Sequence, residues 1–137
     1  MKFSKIKLQM VQEQNFNYNS KTISSATDIV KYINNIEELE KATEEHTILI
    51  NQIIAYTEIA KGGNNLCFVD MKSIFKNVLM CNASKFILVH NHPSQMADPS
   101  KKDIEITKHI KQASEIMNIE FLDHIIVGGN NFVSCLI

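Results

Sequence analysis

The sequence predicts a single domain that mixes helices and strands, and three observations predict it. Apolar residues recur at helical spacing in three separate stretches. Between and after them lie short runs rich in β-branched residues, one of which, Phe86 to Val89, is apolar without interruption, as a strand buried on both faces is. The 137 residues, 45% of them apolar, suffice for one core and are few for two. No repeat, low-complexity run or Pro/Gly/Ser linker divides the chain, so one domain is expected over residues 1–137.

Phe3 to Val11 alternates imperfectly with period two, setting Phe3, Lys5 and Lys7 against Ile6, Leu8 and Met10, and reads as a strand. Ser25 and Asp28 resemble a capping signal. Ile29, Tyr32, Ile33 and Ile36 then form an amphipathic stripe, giving a helix from about Ala26 to Ala42. His46 to Ile50 and Ile53 to Ile59 read as a hairpin about Asn51 and Gln52, closed by Gly62-Gly63. Asp70 is a good N-cap for a second helix with Met71, Phe75, Val78 and Leu79 on its apolar face. The strand Phe86 to Val89 follows and ends in His90. Asp98, Pro99, Ser100 and Asp103 open a third helix carrying Ile106, Ile110, Ala113 and Met117. Phe121 to Val127 and Phe132 to Ile137 close the chain as a hairpin around residues 128–131. These strands and the three helices follow one another in mixed order, hence α/β or α+β.

Charge narrows the functions. Fourteen Lys and Arg against fifteen Asp and Glu give a net charge of -1, so no global basic field recruits nucleic acid or an anionic membrane surface. No apolar stretch approaches the roughly 18–20 residues of a membrane span, and no secretory h-region opens the chain, so a cytoplasmic protein without membrane attachment is expected. Cys67, Cys81 and Cys135 are odd in number, widely spaced and set among apolar residues, which fits reduced core thiols. Gly62-Gly63-Asn64-Asn65 lacks the Lys and the context of a phosphate loop and reads as a turn, so no nucleotide cofactor is implied.

The chemistry is concentrated in His90-Asn91-His92-Pro93-Ser94-Gln95-Met96-Ala97-Asp98-Pro99-Ser100-Lys101-Lys102-Asp103. Histidines at i and i+2 on a strand end project to one side. Asp103 falls in the first turn of the next helix, where a returning loop brings its carboxylate to the same point. His, His and carboxylate are zinc ligands by type, and three of them leave a fourth position for water, the catalytic arrangement. Such a water has its pKa lowered to about 7 and serves as a nucleophile. The bland readings stand beside this: paired histidines at a strand end are often plain surface or core residues, and Ser100-x-x-Asp103 is equally a capping box. The site's position after a buried strand, in a loop stiffened by Pro93 and Pro99, favours the metal. Capping and ligation are also compatible. His46, His109 and His124 have no partner at ligand spacing; His109 reads as a helix-surface residue and His124, beside Asp123, as a satisfied structural one.

The pattern His-x-His, seven residues, Ser, two residues, Asp resembles the JAMM metalloprotease motif. With HNHPS at residues 90–94, FLDHIIVGG downstream and NQIIAYTEIAKG upstream, the chain resembles the JAB domain of bacterial RadC-like proteins. The resemblance implies a cytidine-deaminase-like α/β sandwich of the JAB/MPN type, a curved mixed sheet flanked by helices, with the site at the end of the strand Phe86 to His90. It implies Zn2+ on His90, His92 and Asp103, with Ser100 stabilising an oxyanion. It also implies an upstream general base at the start of a core strand. A zinc hydrolase needs that carboxylate to take the water's proton and return it to the leaving amine. Glu45, directly before the strand His46 to Ile50, is the choice and Glu44 the near alternative; a solvated end to a Glu-rich helix accounts for either without function.

Two departures from the family stand out. The segment between Glu45 and Ile53 is about five residues shorter than in typical relatives, and Gln95 stands where Gly normally follows HNHPS. A position requiring positive φ would therefore be strained or reshaped.

The first function expected is zinc-dependent hydrolysis of peptide or isopeptide bonds. The second is a non-catalytic or accessory module in DNA repair or mobile-element DNA metabolism, as RadC-like proteins have been labelled, and a third is a zinc-stabilised scaffold without turnover. The 137 residues leave no room for the helix-hairpin-helix module of full-length RadC proteins. Direct nucleic-acid binding is expected to be weak and strongly salt-dependent. A homodimer is compatible with the sequence.

Overall fold

The computed structural model describes residues 2, 4–7, 9, 11, 27–30, 45–51, 55–62 and 70–136. Five strands form one sheet: β1 (Glu45–Asn51), β2 (Ala55–Gly62), β3 (Lys85–Asn91), β4 (Glu120–Gly128) and β5 (Asn131–Ser134). Two helices alternate with them, α1 (Met71–Met80) and α2 (Lys101–Met117), and residues 27–30 are helical as well. The order across the sheet is β2-β1-β3-β4-β5, with β3 and β4 parallel and every other neighbouring pair antiparallel. The mixed α/β class is therefore as expected.

The apolar run at the centre behaves as its composition predicts. Every residue of β3 after Lys85 is buried, because the strand lies mid-sheet with both faces covered. Phe86 and Leu88 face the helices and share a core with Ile74, Phe75 and Val78 of α1 and Ile110 of α2. Phe86 meets Phe75 edge-on at 5.9 Å and stacks on Phe121 at 5.0 Å, both favoured aromatic arrangements. β3, α2 and β4 make a parallel crossover unit, which brings the start of α2 over the end of β3. His90 has the same parity as Phe86 and Leu88, so the core face of β3 ends in a histidine beneath α2.

Caps set the helix limits. Asp70 accepts from the Lys72 amide at 3.0 Å, and Ser100 and Asp103 form a full capping box on α2, which ends at Asn118 in the left-handed conformation. Asp70→Ala is expected to lower stability by about 1 kcal/mol, the usual worth of an exposed N-cap, read as a lower denaturation midpoint at unchanged slope.

Several expectations need correction. The described residues of the segment from Phe3 to Val11 are not in a strand, and Ile6 and Val11 are exposed; weak alternation alone does not make a ladder. The α1 stripe is rotated, burying Ile74 and exposing Leu79, because the buried arc centres on Ile74, Phe75 and Val78. The α2 stripe runs through Thr107, Ile110 and Ser114, and Met117 is exposed. Beyond residue 30, the helix expected to Ala42 lies outside the described residues, as do Glu44, Cys67, Gly63 to Asn65 and the turn at Gln52.

Candidate metal centre

His90, His92 and Asp103 come together. Their ligating atoms all lie within 4.8 Å of one another. His90 Nε2 is 3.0 Å from His92 Nε2 and 3.2 Å from Asp103 Oδ1, and His92 Nε2 is 3.3 Å from Asp103 Oδ2. Three donors around a tetrahedral zinc at about 2.0–2.1 Å would stand roughly 3.3 Å apart.

The proton positions make the same point. His92 Nδ1 lies 2.9 Å from the Met96 carbonyl oxygen, which only accepts, so Nδ1 carries a proton and Nε2 is the atom turned to the cluster. The other face of His90 is engaged too, its Nδ1 being 2.8 Å from His124 Nε2. Lone pairs converging at 3.0 Å beside a carboxylate repel unless a positive charge joins them, and a divalent cation supplies it. Burial alone would raise the Asp103 carboxyl. Contact with His90 and His92 and the hydroxyl of Ser100 outweigh burial and hold it well below the usual carboxylate range.

The loop between the ligands is built to hold them. Pro93 follows His92 in a tight turn that the Gln95 amide closes by donating to the His92 carbonyl at 3.0 Å. Gln95 then takes φ 69°, a conformation costing about 1–2 kcal/mol for a residue with a side chain. The position where the family carries Gly is thus a left-handed one. The chain next packs on the end of β4, so closely that a Cβ on Gly128 would lie 2.5 Å from the Met96 carbonyl carbon and 2.9 Å from Ala97 Cα. Only glycine admits this approach, and the approach sets the Met96 carbonyl that orients His92. The His92 amide donates to the Val127 carbonyl at 2.7 Å, extending the parallel ladder past the end of β3.

Ser100 serves the cap, as its spacing allows. Its Oγ donates to Asp103 Oδ2 at 2.7 Å and accepts from the Asp103 amide at 3.1 Å. Asp103 Oδ1 faces His90, so capping box and candidate ligand are one residue in two roles. Glu45 is the first residue of β1. Thr47 of that strand pairs with His90, the last pair between β1 and β3.

His124 is the satisfied structural residue expected, buried and hydrogen-bonded, but its place directly behind His90 was not expected. It is buried, and its Nδ1 lies 2.6 Å from Thr107 Oγ1, which in turn donates to the Asp103 carbonyl at 2.6 Å. Burial, the largest cause, pushes His124 down to about 3, so the ring is neutral at physiological pH. The cause is a bulge: Phe86 pairs with Phe121 but Ile87 with Asp123, leaving Leu122 unpaired. The extra residue reverses the alternation and turns His124 to the face of His90. A polar Thr107 in the apolar register of α2 was the available signal. His109 is exposed on α2, as expected.

Of the cysteines among the described residues, neither Cys81 nor Cys135 is poised to react. Burial, then the charges of Asp103 and Asp123, push Cys135 up to about 11, and burial raises Cys81, whereas the reactive form is the thiolate. Among the described residues no helix is long and apolar enough to cross a membrane.

Comparison with known proteins points the same way. The family model described as RadC-like JAB domain matches residues 23–136. A UPF0758 protein of Clostridium perfringens is 39% identical over 117 residues, covering 82% of this chain and 51% of its own length. One from Clostridium botulinum is 41% identical over 115 residues, 82% of this chain and 50% of its own length. One from Coprothermobacter proteolyticus is 45% identical over 84 residues, 61% of this chain and 36% of its own. The chain spans about half the length of the first two of these relatives.

Proposed function

The chain belongs to the RadC-like JAB domain family, and from that premise we propose that it is a zinc-dependent hydrolase of JAMM type acting on peptide or isopeptide bonds. The observation that carries this reading is the convergence of His90 Nε2, His92 Nε2 and the Asp103 carboxylate, with both Nδ1 atoms held from behind. Zinc bound there would supply a Lewis acid for the scissile carbonyl and a water whose pKa is lowered to about 7. Glu45 would serve there as the general base, taking up a proton from the attacking water and passing one to the leaving amine. Its register supports the role: in an antiparallel ladder a residue two positions from Thr47 keeps the parity of His90, and Glu45 begins β1 at the end of the sheet where β3 delivers the histidines. Ser100 steadies the oxyanion; its hydroxyl rests on Asp103 Oδ2 and is free to turn to the substrate when that carboxylate is committed to the cation. The same reading assigns the fold to the cytidine-deaminase-like JAB/MPN sandwich, supported by a mixed sheet with α1 and α2 on one core face.

The test is metal analysis of the purified protein combined with assays on a panel of peptides and isopeptide-linked conjugates. About one zinc per chain and hydrolysis that a chelator stops and zinc restores are expected. A protein that binds no zinc and cleaves nothing in the panel sinks the proposal.

A further inference from the structure

We propose that His124 and Thr107 are positioning residues, fixing the tautomer of His90 so that Nε2 is presented bare to the cation, and tying that nitrogen to the backbone of Asp103. The inference rests on the metal reading above but adds two residues that touch neither the ion nor a substrate.

The direction of the chain of hydrogen bonds is determined from its far end. The Asp103 carbonyl can only accept, so at 2.6 Å the Thr107 hydroxyl spends its single proton there. Its Oγ1, 2.6 Å from His124 Nδ1, is then left to accept, and Nδ1 must carry the proton. A neutral imidazole protonated at Nδ1 is bare at Nε2, so His124 Nε2 accepts from His90 Nδ1 across 2.8 Å. His90 is thereby protonated at Nδ1 and bare at Nε2, the atom 3.2 Å from Asp103 Oδ1 and 3.0 Å from His92 Nε2. Reversing any link sets two acceptors against each other at 2.6 Å or puts a proton on the ligating nitrogen.

Taken alone, a Thr hydroxyl on the carbonyl four residues back is an ordinary helix contact. What distinguishes Thr107 is that the same oxygen also receives the His124 proton, inside a core where His124 is 1% and Thr107 5% exposed. Water has no access to replace a missing partner, so each link depends on the next. The chain begins at one ligand and ends on the backbone of another, which couples the orientation of His90 to the first turns of α2. His92 has a simpler arrangement, its Nδ1 donating to the Met96 carbonyl. The two histidines thus present the same nitrogen by different means.

The experiment uses the full chain with zinc itself as the probe. Thr107→Val is nearly isosteric and removes the hydroxyl, Thr107→Ser keeps it, and His124→Leu removes the middle link. Zinc affinity is measured by competition with a chelator, and the tautomer of His90 is read from its ring 15N shifts in the metal-free protein. The parent is expected to show His90 protonated at Nδ1. His124→Leu is expected to bind zinc roughly 10- to 100-fold more weakly, the usual effect of losing the partner behind a ligand, and Thr107→Val about tenfold more weakly. Thr107→Val is also expected to populate both His90 tautomers, and Thr107→Ser to restore parental behaviour. Should His124→Leu fail to fold, the two Thr107 variants decide the matter alone. Zinc affinity and tautomer unchanged in Thr107→Val overturn the positioning role and leave the metal reading standing. A parent chain that binds no zinc overturns both.

Discussion

Replacing both His90 and His92 with Ala is expected to reduce zinc from about one per chain to none in elemental analysis. The donors are three, and the substitution leaves a single carboxylate, whose Oδ2 already receives the Ser100 amide and hydroxyl at 2.7 Å. One such oxygen donor does not hold zinc at the concentrations of a dialysed sample, because selective sites for this ion combine three or four nitrogen, sulfur or carboxylate ligands. The variant should still fold. His92 is only partly buried, and the capping box that starts α2 is independent of either histidine. His90 is the costlier position, since its loss leaves His124 Nε2 without a partner in the core, a penalty of about 1–3 kcal/mol. Circular dichroism separates a folded, zinc-free chain from an unfolded one. Full zinc in the folded double variant would place the metal elsewhere and dismantle the site.

That the convergence of His90, His92 and Asp103 could be read from the sequence while the place of His124 could not follows from the distances in chain over which each is specified. His90 and His92 are two residues apart on one strand, and Ser100 and Asp103 share one helical turn, so period two and the cap rules place them locally. His124 reaches His90 only through the register of β3 on β4, and the unpaired Leu122 shifts that register by one residue. Counting alternation along residues 120–128 without the bulge puts Phe121 and His124 on opposite faces, whereas Phe121 belongs to the helix-side core and His124 bonds to His90. Nothing local announces the bulge. Thr107 was obscured for a related reason: Ile106, Ile110 and Ala113 make an adequate stripe by themselves, and the arc actually buried lies one residue further round the helix. Gln95 shows the opposite case. The expectation that its position needs positive φ could be raised from the residue type normally found there, and φ 69° meets it. The loop tolerates the strain because Gly128 lets it dock on the end of β4. At the amino terminus alternation alone was too weak a warrant, as the exposure of Ile6 and Val11 shows.

Glu45→Gln is expected to leave fold and zinc content unchanged and to lower hydrolysis by roughly 10²-fold or more, the scale of a lost general base. Gln has nearly the shape of Glu and can occupy the same place, but its amide cannot take up a proton at neutral pH. The three ligands are untouched, so the substitution separates metal binding from turnover in a way that no ligand substitution can. Register is the physical warrant for choosing position 45. Five consecutive pairs, from Thr47 with His90 to Asn51 with Phe86, run antiparallel without a shift between β1 and β3, so β1 begins toward the end of the sheet where β3 delivers the histidines. A one-residue error would exchange the faces of the sheet and send the carboxylate to the wrong side. Glu44→Gln is therefore the control, with near-parental activity expected. Full activity in Glu45→Gln together with loss in Glu44→Gln would show that the strand enters the site one residue earlier, and would transfer the role of base to Glu44.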